Sequence, residues 1–186
     1  MQPRLDPFTV FMDLRTGLLD PLPVVAERRL GDMRGLYAGE AEPADQLVYR
    51  VLSIPVPELN SEIQCSTTIL EPGLVGDEYF MTKGHFHAVR DRSEIYIGLA
   101  GEGRLLLATE DGRHRLEPLR AGTVNYIPGG WAHRSINVGS DPLVFFAAYV
   151  GDAGHDYETI EGRGFPVRVV RGETGPTVVI NQRYRR

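Results

Sequence analysis

From residue 47 onward, the apolar residues of this chain fall in short runs, and each run is closed by a turn signal. That punctuation constrains the fold more than any other feature. Leu47–Pro55, Gln64–Leu70, Glu94–Ala100, Arg104–Thr109, Thr123–Ile127, His133–Val138 and Leu143–Val150 are of strand length and rich in β-branched or aromatic residues. Between them stand Glu71-Pro72-Gly73, Gly101-Glu102-Gly103, Glu110-Asp111-Gly112, Pro128-Gly129-Gly130 and Gly139-Ser140-Asp141-Pro142. Short strands at this spacing predict an all-β barrel or sandwich. The tail adds Val167–Val170 and Thr177–Asn181. Helical spacing is scarce; Pro23–Leu30, with Val24, Val25 and Arg28 suited to two turns, is read as a short helix. With 186 residues and 42% hydrophobic content, the chain builds one core and one domain.

Composition narrows the function. Lys and Arg number 20 against 25 Asp and Glu, a formal charge of −5, so the chain lacks the basic balance of a general nucleic-acid binder. One cysteine, Cys65, excludes an internal disulfide and a cysteine-rich zinc site, and is read as a small core residue. The longest apolar stretch, Leu143–Val150, is too short to cross a bilayer core of roughly 30 Å. Pro7 and Asp13 interrupt the first apolar residues, so no signal-peptide core is read there. The expectation is a soluble, cytoplasmic protein with no membrane partner.

The chemistry concentrates in histidines. In Gly84-His85-Phe86-His87, a strand would project both imidazoles from one face. Val89 to Ser93 is polar enough to turn, so Glu94 can open a new strand on which Glu94, Tyr96 and Gly98 share a face. His133 follows the sharp turn at Pro128-Gly129-Gly130. Three neutral imidazoles (His85, His87, His133) and the Glu94 carboxylate suit a divalent first-row metal with open positions. A His-x-His pair by itself also occurs as surface or hydrogen-bonded histidines. His114 is assigned to a hairpin turn and left without a role. Trp131 is expected to pack beside the metal turn, and Asn137 to bond backbone across the barrel.

Gly122-x5-Pro128-x-Gly130-x2-His133-x3-Asn137 resembles the second motif of the cupin superfamily, and His85, His87, Glu94 and Gly101 resemble the first. Two departures stand out: six residues separate His87 from Glu94, more than is usual, and Tyr79 replaces the leading glycine. The run Thr82-Lys83-Gly84-His85-Phe86-His87-Ala88, the segment Asp91 to Tyr96, and Asp152-Ala153-Gly154-His155-Asp156-Tyr157 resemble the cupin-type phosphoglucose isomerases. The similarity extends back to Gly31-Asp32-Met33-Arg34-Gly35 and Val48-Tyr49.

This resemblance implies a single cupin barrel (double-stranded β-helix or jelly roll), with 1–46 an N-terminal extension, 47–150 the metal-binding barrel and 151–186 a segment completing the site. It implies a homodimer that interconverts glucose 6-phosphate and fructose 6-phosphate with one divalent ion per subunit, Fe first, then Mn, Ni, Co or Zn. Glu94 and Tyr149 would be catalytic, with the hydrogen moving either by proton transfer through a cis-enediol or by a metal-assisted hydride shift. Tyr49, Thr68, Thr82 and Gly84 would hold the phosphate, and Tyr96 and His155 the sugar. Read without the resemblance, Thr68 is an ordinary strand threonine, Tyr149 a core contact, His155 an exposed loop residue and Glu94 a ligand only. Rival readings are an Fe(II) dioxygenase, a sugar-nucleotide epimerase or a non-enzymatic sugar-binding cupin; the long spacing to Glu94 and the Asp152–Tyr157 stretch disfavour them.

Overall fold

A computed structural model describes residues 5–21 and 23–184; the expected extension and C-terminal segment therefore run partly outside the described residues. A hairpin of β1 (Phe11–Met12) and β2 (Leu19–Asp20) precedes β3 (Val24–Arg29) and a 3-10 turn at Leu30–Met33. Then come β4 (Leu47–Ser53), β5 (Ile63–Leu70), β6 (Leu74–Val75), β7 (Glu78–Tyr79), β8 (Glu94–Ala100), β9 (Glu102–Thr109) and β10 (His114–Arg120). The chain continues through β11 (Val124–Ile127), β12 (Trp131–Asn137), β13 (Leu143–Val150), the helix α1 (Glu158–Arg163), β14 (Val167–Gly172) and β15 (Gly175–Ile180).

Six strands form one antiparallel sheet in the order β11-β8-β13-β5-β4-β3; β10-β9-β12 and β15-β14-β7-β6 form two more. This is the all-β cupin architecture. The main core joins residues from these sheets, among them Val48, Leu70, Phe80, Leu105, Leu119, Ile136, Phe145 and Phe165. The six-stranded sheet turns one face to the interior. Cross-strand neighbours share a face, and the register aligns Tyr96 with Ala147 and Ser66, and Gly98 with Phe145 and Thr68. Its interior therefore carries a file of polar and small residues beside the apolar core.

Pro23–Leu30 is not a helix. Val24–Arg29 is a strand that pairs with β4 along its length. Val24 and Val25 are 61% and 52% exposed, so the apolar spacing marks no buried helical face. Pairing with an open strand satisfies the backbone of β-branched residues better than two isolated helical turns. β10 carries no strand signal in the sequence, because His114–Arg120 is charged and contains Pro118. It is an edge strand, where a missing N–H and polar side chains are tolerated. His114 opens that strand, exposed, and does not belong to the turn before it. Cys65 is half-buried, paired with Ala148 on the side of the sheet away from the interior, so it is no core residue.

Candidate metal centre and substrate pocket

The His85–His87 segment is not part of a continuous strand. His85 and His133 instead form an isolated antiparallel bridge, His85 N–H to His133 O at 3.2 Å and the reverse bond at 3.0 Å. That exchange sets two imidazoles side by side from segments nearly fifty residues apart in the chain (85 against 133). Gly84, at φ +72°, makes the approach possible: a Cβ there would lie 2.8 Å from the Phe165 ring and 3.0 Å from His133 O.

Glu94 opens β8 after the turn, and the burial of β8 alternates: Glu94, Tyr96 and Gly98 are buried, Ile95 and Ile97 exposed. One ligand atom from each of His85, His87, Glu94 and His133 falls within 4.8 Å of all the others. Glu94 Oε2 is 3.2 Å from His87 Nε2 and 2.9 Å from His133 Nε2. His133 Nε2 is not aligned for a hydrogen bond with it, and it and His85 Nε2 are buried without partners. The opposite nitrogens are anchored. His87 Nδ1–H donates to Arg92 O at 2.9 Å, and His133 Nδ1 faces Trp131 O at 3.4 Å. Such carbonyl contacts fix the tautomer whose Nε2 lone pair faces the cluster. Burial and the neighbouring imidazoles hold His85 well below its ordinary pKa, hence neutral. Burial by itself would raise the Glu94 carboxyl, but the contacts with His133 and His87 bring it down to about 2. Three lone-pair nitrogens and an anionic oxygen converging in a buried space fit a divalent metal ion. Glu94 Oε1, by contrast, makes no hydrogen bond among the described residues.

The pocket above this cluster holds about 540 Å³ of atom-free space, mouth included. Tyr49, Thr68, Thr82, Gly84, Tyr96, Tyr149 and His155 all line it beside His85, Glu94 and His133. The remaining member of the cluster, His87, is buried and outside this lining. Tyr149 is the direct cross-strand partner of Glu94. Burial, then the Glu94 charge, pushes Tyr149 and Tyr96 well above the ordinary tyrosine range, so both remain hydroxyl donors at neutral pH.

Tyr157, Ser66, Val51, Phe145 and Ala147, none of them among the expected site residues, also line the pocket. Tyr157 had a signal: it lies two residues after His155, and the two rings stack 5.6 Å apart at 5°. The others are legible only through register, since Ala147 stands between Tyr96 and Ser66. Trp131 is half-buried, 5.9 Å from the Arg113 guanidinium; its carbonyl, not its ring, serves the cluster. Asn137 donates to Leu70 O and Asp141 O, each at 2.9 Å.

The Asp152–Tyr157 stretch closes the pocket by pairing with the ligand segment. Asp156 and Phe86 exchange backbone bonds, and Val89 N–H donates to Ala153 O at 2.9 Å. Asp152 receives both Arg92 Nε (2.7 Å) and Nη2 (2.8 Å). Asp156 receives Arg90 and the Thr159 hydroxyl, the latter at 2.7 Å. These clamps deliver His155 and Tyr157 to the mouth.

Antiparallel sheets packed round one core, with three imidazoles and a carboxylate converging between them, define a metal-binding cupin. A family model described as Glucose-6-phosphate isomerase (GPI) matches residues 27–185, and the chain belongs to that family. It is 42% identical to the glucose-6-phosphate isomerase of Pyrococcus horikoshii over 186 residues, covering 97% of this chain and 98% of that one. To the enzyme of the same name from Thermococcus litoralis it is 43% identical over 180 residues, 94% of each chain. To that of Sinorhizobium medicae it is 39% identical over 190 residues, covering 97% of this chain and 89% of the other. Among solved structures, a mutant oxalate decarboxylase from Bacillus subtilis superposes with a TM-score of 0.47 at 25% identity, over 61% of this chain and 28% of that one.

Proposed function

We propose that this chain interconverts glucose 6-phosphate and fructose 6-phosphate. The observation that carries the reading is a single pocket whose lining joins a buried cluster of histidines and a carboxylate to several hydroxyls and a free backbone N–H. His85, His87, Glu94 and His133 hold one divalent first-row ion per subunit, with iron the first candidate and Mn, Ni, Co and Zn suited to the same donors. When bound, such an ion supplies a Lewis acid for charge developing on the sugar's neighbouring oxygens.

The protein's own groups supply the rest. Glu94 divides its oxygens: Oε2 faces the imidazoles, and Oε1 is left to carry a proton between C1 and C2 along a cis-enediol route. Tyr149, directly across from Glu94 and kept protonated, exchanges hydroxyl protons with the sugar. Tyr96 and His155 orient it. At the phosphate end, Ser135 N–H donates to the Thr82 hydroxyl (3.0 Å) and Lys83 N–H to the Tyr49 hydroxyl (3.5 Å). Each hydroxyl hydrogen is therefore free for an anion, beside Thr68 and the Gly84 N–H, which has no partner among the described residues.

We read the chain as one cupin domain, its extension adding β3 and its C-terminal segment the pocket mouth. It works as a homodimer in the cytoplasm, the compartment of its charged, membrane-impermeant substrates. Support for the dimer lies on the outer sheet face: Val124 and Tyr126 are 68% and 63% exposed beside exposed Ile95 and Ile97. The N-terminal hairpin covers the rest of that face, around Leu52, Ile69 and Val144. No helix among the described residues is long and apolar enough to cross a membrane. Metal-loaded protein given fructose 6-phosphate should yield glucose 6-phosphate in a coupled assay, and a chelator should stop it; absence of chelator-sensitive product refutes the reading.

A further inference from the structure

The hydroxyl-lined end of the pocket is neutral, yet a sugar phosphate brings close to two negative charges there. Hydroxyl donors alone replace the hydration of such a group poorly, and a nearby guanidinium matches it best. Two cations beside the lining are already engaged: the Lys83 ammonium is 3.4 Å from the Glu161 carboxylate and 5.9 Å from the Tyr157 ring, and the buried Arg134 guanidinium donates to Lys83 O and stacks 4.5 Å from the Phe165 ring.

Strand β3 offers another. Its residues Val24, Val25, Ala26, Glu27 and Arg29 are exposed, and only Arg28 is half-buried. Arg28 is the cross-strand partner of Tyr49, and such partners project from the same face, so Arg28 points toward the pocket side of the sheet. A register shift immediately after Arg28 turns Arg29 away, toward the Glu27 carboxylate at 2.9 Å and Asp45 O at 2.6 Å. Arg28 donates only to the carbonyl of Glu27, at 2.8 Å, and makes no ion pair among the described residues. Its charge is felt at both Tyr49 and Tyr157, where it opposes the rise that burial imposes on each hydroxyl.

We propose that Arg28 is the phosphate-positioning cation of the pocket, reaching from β3 past Tyr49 to the substrate's phosphate. This rests on the sugar-phosphate reading above and deepens it, because it gives a neutral-lined site a reason to prefer phosphorylated sugars. The strand that sequence spacing suggested was a helix is then the element that completes the anion site.

The test compares the metal-loaded enzyme with Arg28→Ala, Arg28→Gln and Arg28→Lys, each checked for unchanged thermal unfolding. Calorimetry with 5-phosphoarabinonate and with unphosphorylated arabinonate reads the phosphate's contribution without turnover. Losing one charge-assisted contact should weaken the phosphorylated ligand roughly 10- to 100-fold and the unphosphorylated one by less than about threefold. KM for fructose 6-phosphate should rise by a similar factor with a much smaller change in kcat. Arg28→Lys should recover part of the loss, and the salt dependence of kcat/KM should flatten in Arg28→Ala. Equal weakening of both ligands, or a phosphorylated ligand bound as tightly by Arg28→Ala as by the parent, overturns the proposal. If the parent binds both sugar acids but never isomerises, the isomerase reading fails while the two affinities still decide the role of Arg28.

Discussion

Strands β8 and β12 both supply a metal-cluster residue, yet they are built on different rules. β8 is one-sided: its buried residues alternate with exposed ones, and the buried set is Glu94, Tyr96 and Gly98. β12 is buried on both sides from Ala132 to Asn137, although four of those residues are polar: His133, Arg134, Ser135 and Asn137. A buried polar group costs stability unless it finds a partner. Two of the four on β12 have partners in the protein. Arg134 gives Nε and Nη2 to Lys83 O, and Asn137 holds Leu70 O and Asp141 O. His133 Nε2 and the Ser135 hydroxyl are buried without one. On β8 the face tells which residue serves the site; on β12 burial does not, and only convergence with His85, His87 and Glu94 marks His133.

That comparison can be broken most sharply at the two buried acids and bases of the cluster. Glu94→Gln, reconstituted with metal, should lose roughly 10²–10⁴ in kcat, as expected for removal of a positioned acid–base group. The parent in heavy water should place solvent deuterium in the product. Near-parental turnover of the metal-replete variant would leave Glu94 a ligand only. On β12, His133→Ala should purify with much less metal than the parent, measured by elemental analysis, whereas His114→Ala should retain it. Equal metal in the two would remove His133 from the ligand set.

Asn137→Ala should behave in the opposite way, keeping its metal and losing about 2–4 kcal/mol of stability, because two carbonyls and the Gly139 N–H lose their partner. Thermal unfolding and metal content measured together separate the two classes of buried polar residue. A smaller effect belongs to the exposed side of β8 and its neighbour β11. Tyr126→Lys with Val124→Lys should turn a dimer into monomers by sedimentation while leaving the unfolding of the isolated subunit nearly unchanged.

The mildest expected effect is acid loosening of the pocket mouth. The Thr159 hydroxyl, then Arg90, hold the Asp156 carboxyl at about 2, below its ordinary 3.8. A depressed carboxyl contributes stability above its unfolded value and loses it as pH falls. Hydrogen exchange across 152–159 should therefore show extra opening between about pH 4 and pH 2, and Asp156→Asn should reduce it, leaving the part carried by the likewise depressed Asp152. Unchanged exchange over this interval would detach Asp156 from the closure of the mouth.

Much of the site could be read along single strands. Glu94 and Tyr96 lie two apart with exposed Ile95 between them and exposed Ile97 after, so alternation alone assigns their face. Thr68 and Tyr149 were legible only through the family resemblance, because their strands show no such alternation. The Asp152–Tyr157 stretch was legible as a pattern, but its purpose was not: Asp152 and Asp156 are clamps for Arg92 and Arg90, which lie sixty or more positions away in sequence. Val24–Arg29 misled because two helical turns and one edge strand share the same apolar spacing in so short a segment, and only the partner strand distinguishes them.

The sequence by itself determined the short strands and their turns, the histidines and carboxylate fit for a metal, and the face that Glu94 shows on its own strand. These are local properties, set by side-chain type and the two-residue period of an extended backbone. Tertiary structure alone decided that His85 pairs with His133, that the Arg92 carbonyl fixes the His87 tautomer, that Glu94 turns one oxygen to the imidazoles, and that Arg28 stands opposite Tyr49. Apart from the His87 contact, which spans a turn of five residues, these depend on pairing between segments far apart in the chain, and such registers are chosen by the packing of the sheets as a whole.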